Sequence, residues 1–366
     1  MNNLKRFKVL HAAETAIGGI ATYLDELVKL QSNTYGQDSI RIVIPETHTQ
    51  YLEHIHTDSI YGFTDHGSRI LNTLELIKKI HTINHSFKAD VIHIHSTYAG
   101  FALRPSMWLL NKNTKVVYCP HGWAFKRDTP NIVNALIKFI EVAFSHFSDA
   151  IICTSTSEYD SALQIGISDS VLKLIHNGIS THSPQSSFSV KWPDNRIKLL
   201  FIGRLDRQKG IDVMLNAMEQ LLEIAFAYII GAPVVNSEPI SNIPENVALV
   251  GWQARENTEA YYQTADALIM PSRWEGFGLT AAEAMRSGRT VIASRVGGIT
   301  DLVEDSVTGI LFEPDNVSEI VAAVKSLSHD MLIRMGEAGR ERFMRLFSSD
   351  RMFSEMHALY EQISCP

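Results

Sequence analysis

Cysteine is scarce and nowhere clustered. Only Cys119, Cys153 and Cys365 occur in 366 residues, an odd number without short spacing. That excludes a disulfide-built scaffold and a cysteine zinc finger, and it fits a reducing cytoplasm. Long apolar runs are missing too. Residues 1–19 lack a secretory apolar region, and the least charged stretch, 221–235, is broken by Glu223, Gly231 and Pro233, so neither reads as a bilayer span. There is no excess of positive charge: 33 Lys and Arg stand against 40 Asp and Glu, a net charge of -7, which argues against general nucleic-acid affinity. Neither G-x-G-x-x-G nor G-x-x-x-x-G-K-[ST] occurs, so the dinucleotide fingerprint and the P-loop are excluded.

What remains is an ordinary globular composition, 45% hydrophobic and 20% charged, at a length that predicts two domains. Short β-branched apolar runs alternate with segments of helical period. They fall at 7–12, 40–45, 90–95, 115–120, 150–154 and 172–176, and again at 198–203, 226–231, 247–251, 267–271, 290–294 and 309–312. Continuous apolarity marks strands buried on both faces, hence α/β: two Rossmann-like, doubly wound parallel-sheet domains. The Ser- and Pro-rich stretch 178–195 suggests a connector. We expect a first domain over 1–180, a linker over 181–196, a second domain over 197–345 and a C-terminal segment over 346–366. Residues 1–180 carry 16 Lys and Arg against 16 Asp and Glu and hold 12 of the 15 histidines, so the acidic excess belongs to the second half. In such sheets ligands bind beyond the carboxyl ends of the strands, and two domains facing each other would build one central cleft.

The motifs fall at those strand ends. Pro271 to Met285 reads PSRWEGFGLTAAEAM: a strand ends, a loop carrying Gly276 and Gly278 follows, and a helix begins near Thr280, so free backbone N–H groups favour an anion. Two carboxylates, Glu275 and Glu283, fit there if they accept hydrogen bonds from hydroxyls while the backbone holds the anion, as a nucleotide sugar would require. Thr280-x-x-Glu283 is equally a capping box, and Glu275 equally a solvated loop charge. In Gly203-Arg204-Leu205-Asp206-Arg207-Gln208-Lys209-Gly210, Arg204 and Lys209 can converge on a diphosphate, or form a solvated basic turn. Gly18-Gly19 opens a helix after the first strand, and Pro120-His121-Gly122 ends the fourth. His93-x-His95 and His54-x-His56 suggest metal only weakly, since no carboxylate or cysteine is spaced to complete a site, and we expect no metal and no bound cofactor.

Taken in order, Arg204 to Lys209, PSRWEGFGLTAAEAM, Gly297-Gly298 and Thr308-Gly309, preceded by Gly18-Gly19, His121 and Asn177-Gly178-Ile179, resemble the retaining glycosyltransferases of family 4, of the type that builds bacterial surface polysaccharides. The resemblance spans the whole chain. It implies the two-domain GT-B architecture, with acceptor in the first domain, nucleotide-sugar donor in the second, and C-terminal helices crossing back. By that similarity Arg204 and Lys209, with Gly203, bind the donor diphosphate and Glu283 the ribose hydroxyls. Glu275 with the backbone of Gly276, Phe277, Gly278 and Leu279 binds the transferred sugar, His121 lies near the reacting centre, and Gly18 and Gly19 allow close approach of donor to backbone. His121, Glu275, Arg204 and Lys209 are thereby the catalytic candidates. Thr290 stands where the family commonly has proline, and Arg286 replaces a small residue on the donor helix.

Fixed positive charge would stabilise a leaving nucleoside diphosphate, so metal is dispensable, and the resemblance implies that no protein nucleophile is needed. The expected function is transfer from a nucleotide sugar, UDP-linked before GDP-linked, to a lipid-linked or glycan acceptor. A GT-B enzyme with a small soluble acceptor, an epimerase, and a non-catalytic nucleotide-sugar-binding subunit remain alternatives. The segment 67–88, with Ile70, Leu74, Ile77 and Ile80 or His81 on one helical face and Arg69, Lys78, Lys79 and Lys88 around it, could settle on an anionic bilayer with Trp108, Trp123, Phe125, Lys126 and Arg127. It could equally be an ordinary helix packed on the sheet.

Overall fold

The computed structural model describes residues 4–107, 114–126, 129–233 and 242–365. The chain forms two compact units, one of Met1–Ile179 with Ser349–Pro366 and one of Ser180–Ser348. Both are Rossmann-like α/β units built on parallel sheets.

In the first unit the strands are β1 (Val9–Ala13), β2 (Ile40–Pro45), β3 (Ile60–Phe63), β4 (Val91–His95), β5 (Lys115–Cys119), β6 (Ala150–Cys153) and β7 (Leu172–Leu174), in sheet order 3-2-1-4-5-6-7. Strand β3 escaped the sequence reading. It lies at the sheet edge, only Phe63 of it is fully buried, and Gly62 interrupts it, so no continuous apolar run announces it. One face of this sheet packs on helices Gly19–Tyr35 and Ser349–Ser364, where Leu24, Leu27, Met352, Met356 and Tyr360 join the core. The other face packs on helices Arg69–Phe87 and Thr97–Met107 through Leu76, Ile80 and Leu103.

The second unit holds β8 (Ile197–Ile202), β9 (Ala225–Ile230), β10 (Val247–Gly251), β11 (Ala267–Met270), β12 (Thr290–Ser294) and β13 (Gly309–Phe312), in order 10-9-8-11-12-13. Segment 181–196 is not a free linker. Phe188 packs on Tyr261, Trp192 lies 4.7 Å from the Tyr228 ring and donates from Nε1 to Thr264 Oγ1 at 3.1 Å, so the segment belongs to the second unit. The carboxyl-terminal change of unit falls between Ser348 and Ser349, leaving helix His329–Leu346 in the second unit.

In both sheets neighbouring central strands, β1 and β4 or β8 and β11, send their connections in opposite directions along the sheet. Loops leaving such a switch point part and leave a crevice at the strand ends.

Candidate functional site

The two loops at the switch point of the second sheet follow β8 and β11, and they are knitted together. Gly210 sits at φ 69°, and a Cβ there would lie 2.0 Å from the Pro271 carbonyl oxygen, so only glycine lets them meet. Gln208 bridges them: its Oε1 accepts from Arg204 Nη2 at 2.6 Å, its Nε2 donates to the Trp274 carbonyl at 3.1 Å, and its own carbonyl accepts from Arg273 N at 2.8 Å. Lys209 Nζ donates to Glu275 Oε1, which also accepts from Ser272 Oγ at 2.9 Å. Spacing alone suggested that Arg204 and Lys209 share one anion. Here Lys209 is held by Glu275, while Arg204, 51% exposed, reaches Gln208 and pairs with Asp206 at 3.2 Å. An ammonium has three protons to donate, so Lys209 can keep Glu275 and still take a phosphate oxygen.

Behind Glu275 lies the reason for the later glycine pair. A Cβ on Gly297, at φ 49°, would fall 1.8 Å from the Glu275 carbonyl oxygen, and Gly298 N donates to the Gly276 carbonyl at 3.1 Å. Phe277 is buried edge-on to Phe347, which leaves only its backbone for a ligand. Helix Leu279–Arg286 starts at Gly278, φ 99°, and not at a capping threonine. The capping-box reading of Glu283 is therefore wrong: Thr280 Oγ1 donates to Met270 Sδ at 3.2 Å, and Glu283 Oε2 accepts from Tyr262 Oη at 2.9 Å. Burial raises the Glu283 carboxyl pKa above its usual range, with nearby Arg286 opposing. Arg286 itself turns inward, its Nη2 2.7 Å from Glu259 Oε2 in a pair that is 2% exposed on each side. Its presence on this helix answers Glu259. Thr290 is explained likewise, its hydroxyl donating to the Leu332 carbonyl at 2.7 Å. Gln208, Ser272 and Tyr262 escaped the sequence reading, since nothing in their spacing ties them to Arg204, Glu275 or Glu283.

In the first unit, Gly18 at φ 59° caps helix Gly19–Tyr35, and a Cβ on it would meet nothing within 4 Å. Tyr23 of that helix lies edge-on to His121, ring centroids 4.6 Å apart. His121 follows β5 in a left-handed conformation, φ 52°. The register pairs His11 with His93 and His95 with Cys119 on neighbouring strands. Because side chains alternate along a strand, all four project to one face. Facing ring nitrogens of His11, His93 and His95 lie within 4.8 Å of one another. The spacing His93-x-His95 did not reveal His11, which comes from a different strand. His54, by contrast, is taken up by Asp25 at 2.5 Å.

These are two Rossmann-like units, each with its polar residues at the carboxyl ends of the central strands, which is the architecture of a GT-B sugar transferase. Residues 17–183 match the family described as Glycosyltransferase Family 4 and residues 183–342 that described as Glycosyl transferases group 1. A 41.2 kDa protein in the cps region of Klebsiella pneumoniae is 30% identical, over 96% of this chain and 99% of its own. The Escherichia coli UDP-Gal:alpha-D-GlcNAc-diphosphoundecaprenol alpha-1,3-galactosyltransferase is 22% identical over 75% of each chain. Among solved structures, Anabaena HepE in complex with UDP-glucose superimposes with a TM-score of 0.80 at 18% identity, covering 98% of this chain and 100% of that one. The chain belongs to the family 4 type of GT-B glycosyltransferases.

Proposed function

We propose that the protein is a retaining glycosyltransferase that moves a sugar from a UDP-sugar to a lipid-linked or glycan acceptor in surface-polysaccharide synthesis. The observation that carries this reading is the Lys209–Glu275 pair between the two switch-point loops, a cation and a carboxylate held side by side where a diphosphate and a sugar would meet. Arg204 and Lys209 neutralise the departing diphosphate. Glu275 and the backbone of 276–279 accept from and donate to the sugar, Glu283 takes ribose hydroxyls, and His121 with the Gly18-Gly19 turn contributes from the first unit. Fixed positive charge supplies what a metal would otherwise supply. The UDP-glucose held by HepE and the diphosphoundecaprenol acceptor in the name of the Escherichia coli relative support the donor and acceptor classes.

Release of UDP from UDP-glucose, with and without added acceptor lipids, tests the reading: no release and no binding in a thermal-shift titration would defeat it, and free epimerised sugar would point to an epimerase. Activity should persist in excess EDTA; loss restored by Mg or Mn would place a metal on the diphosphate. The two carboxylates should separate. Glu275→Gln should abolish transfer with UDP affinity nearly unchanged, whereas Glu283→Gln should weaken UDP and UDP-glucose alike, both read by titration. Equal weakening of both ligands by Glu275→Gln would remove its sugar contact.

Docking of the first unit on an anionic membrane surface belongs to the same reading, with a revised contact. The face chosen from sequence is split: Ile80 is buried in the core, while Ile70 is 74% exposed, with Leu71 and Leu74 exposed beside it. Helix Asn131–Ser145 exposes more, with Ile132 at 81% and Phe139 at 71% flanking exposed Leu136. Trp123 and Phe125 are buried and cannot take part, and Trp108, Arg127 and the Arg69 side chain lie outside the described residues. Among the described residues no helix is long and apolar enough to cross a membrane. Co-sedimentation with anionic liposomes at low salt should fall for Ile132→Glu/Phe139→Glu; wild type remaining in the supernatant under all conditions would end the docking reading.

A further inference from the structure

Beneath His121 runs an unbroken series of hydrogen bonds. His121 Nε2 lies 3.0 Å from His95 Nδ1, His95 Nε2 lies 3.0 Å from His11 Nδ1, and His11 Nε2 lies 2.7 Å from Gln31 Oε1. The ring planes are tilted by only 24° and 18°, with centroids 5.2 and 5.3 Å apart. Nitrogens 3.0 Å apart on rings so disposed meet edge to edge, which is hydrogen-bond geometry. His93 is different: its ring lies against that of His95 at 4.2 Å, and its Nδ1 is 2.8 Å from Tyr360 Oη.

Burial drives these imidazoles neutral: His11 is pushed down to about 4 and His121 to about 3, and His95 is lowered well below its ordinary value. A neutral imidazole has one donor and one acceptor, so each hydrogen bond in a row dictates the next. An amide oxygen only accepts. Gln31 Oε1 therefore requires the proton on His11 Nε2, which leaves His11 Nδ1 to accept from His95 Nε2–H, and His95 Nδ1 to accept from His121 Nε2–H. Gln31 Nε2 donates to Tyr360 Oη at 3.4 Å, a hydroxyl that accepts there while its own proton goes to His93 Nδ1 at 2.8 Å. At the outer end His121 Nδ1 is left without a proton, facing the thiol of Cys119 at 3.6 Å, a weak donor.

We propose that His11 and His95 are positioning residues: a two-imidazole relay, anchored on Gln31, that holds His121 as its Nε2–H tautomer, so that Nδ1 accepts a hydrogen bond from a hydroxyl of the transferred sugar. The proposal deepens the transferase reading and rests on it for the sugar, but the tautomer itself is a property of the protein alone. It gives His121 a single polarity. A substrate hydroxyl there is a donor, displaces the thiol contact, and is oriented by that demand.

The test is the ¹⁵N spectrum of protein labelled at histidine, with the His121 signals assigned by their loss in His121→Gln. Wild type should show His121 protonated at Nε2 and bare at Nδ1. Gln31→Leu should bring in the other tautomer and lower kcat for UDP release from UDP-glucose about tenfold to a hundredfold, with KM little changed; Gln31→Glu, which keeps the acceptor, should restore both. A proton on His121 Nδ1 in wild type overturns the proposal even if Gln31→Leu fails to fold. So does an unchanged tautomer in a folded Gln31→Leu. Stoichiometric zinc on the facing nitrogens of His11, His93 and His95 would overturn it as well, since the electron pair that accepts the His95 proton would be on the metal. A wild type that shows the expected tautomer but never turns over UDP-glucose counts for the relay and against the donor assignment.

Discussion

Replacing Lys209 by alanine should lower kcat for transfer about 10²- to 10³-fold, which corresponds to roughly 3–4 kcal/mol of lost transition-state stabilisation. The Lys209 side chain is 17% exposed, and its ammonium reaches across from the loop after β8 to Glu275 on the loop after β11. When the diphosphate leaves, negative charge grows where that ammonium stands, and a fixed cation in a partly desolvated loop needs no reorganisation to meet it. Arg204→Ala should cost a similar factor, because its guanidinium is already tethered by Gln208 and Asp206 beside the same strand end. Lys209→Arg separates charge from shape: it keeps the positive charge but not the fit beside Ser272 and Glu275. Steady-state kinetics on UDP-glucose, with melting curves alongside, decide the matter. Near-normal turnover of both alanine variants would remove the diphosphate assignment.

Stability should be hit hard at Arg286. Its ion pair with Glu259 is buried on both sides, and Arg286 Nη1 also donates to the Ser180 carbonyl at 3.3 Å while Ser287 Oγ donates to Glu259 Oε1 at 3.0 Å. Arg286→Ala leaves the Glu259 carboxylate buried without its cation, which costs roughly 3–5 kcal/mol. For a unit of this size that is a fall in Tm on the order of 10 °C. Removing both partners, Arg286→Met with Glu259→Met, should recover most of the loss, because no charge is then stranded. Donor affinity measured below the transition should fall as well, since the lost guanidinium also opposes protonation of the nearby Glu283 carboxyl. A single variant as stable as wild type would show that water reaches Glu259.

The alternation of buried runs with helical segments sufficed for the sheet class, because a strand covered on both faces must be apolar throughout. The same logic failed at β3, where an edge position relaxes that demand and a half-buried Ile60-Tyr61-Gly62-Phe63 suffices. It failed again at 181–196, where Pro and Ser suggested a free connector although Phe188 and Trp192 fasten the segment to the second unit.

Residue order by itself determined which side chains stand at strand ends, because a glycine-bearing turn after an apolar run is a local property. Arg204, Lys209, Glu275 and His121 could all be picked out on that basis, and Glu283 on the helix that follows one such turn. Only the tertiary structure decided what each of them touches. Lys209 meets Glu275, Glu283 meets Tyr262, and Arg286 leaves the site for Glu259, in each case between residues more than twenty positions apart or on different loops. The histidine row shows the limit most plainly: His93 and His95 share a face by spacing, but His11 and His121 join them through the register of three parallel strands and the turn after β5. Strand register is set by the packing of both sheet faces at once, and no local sequence window contains that information.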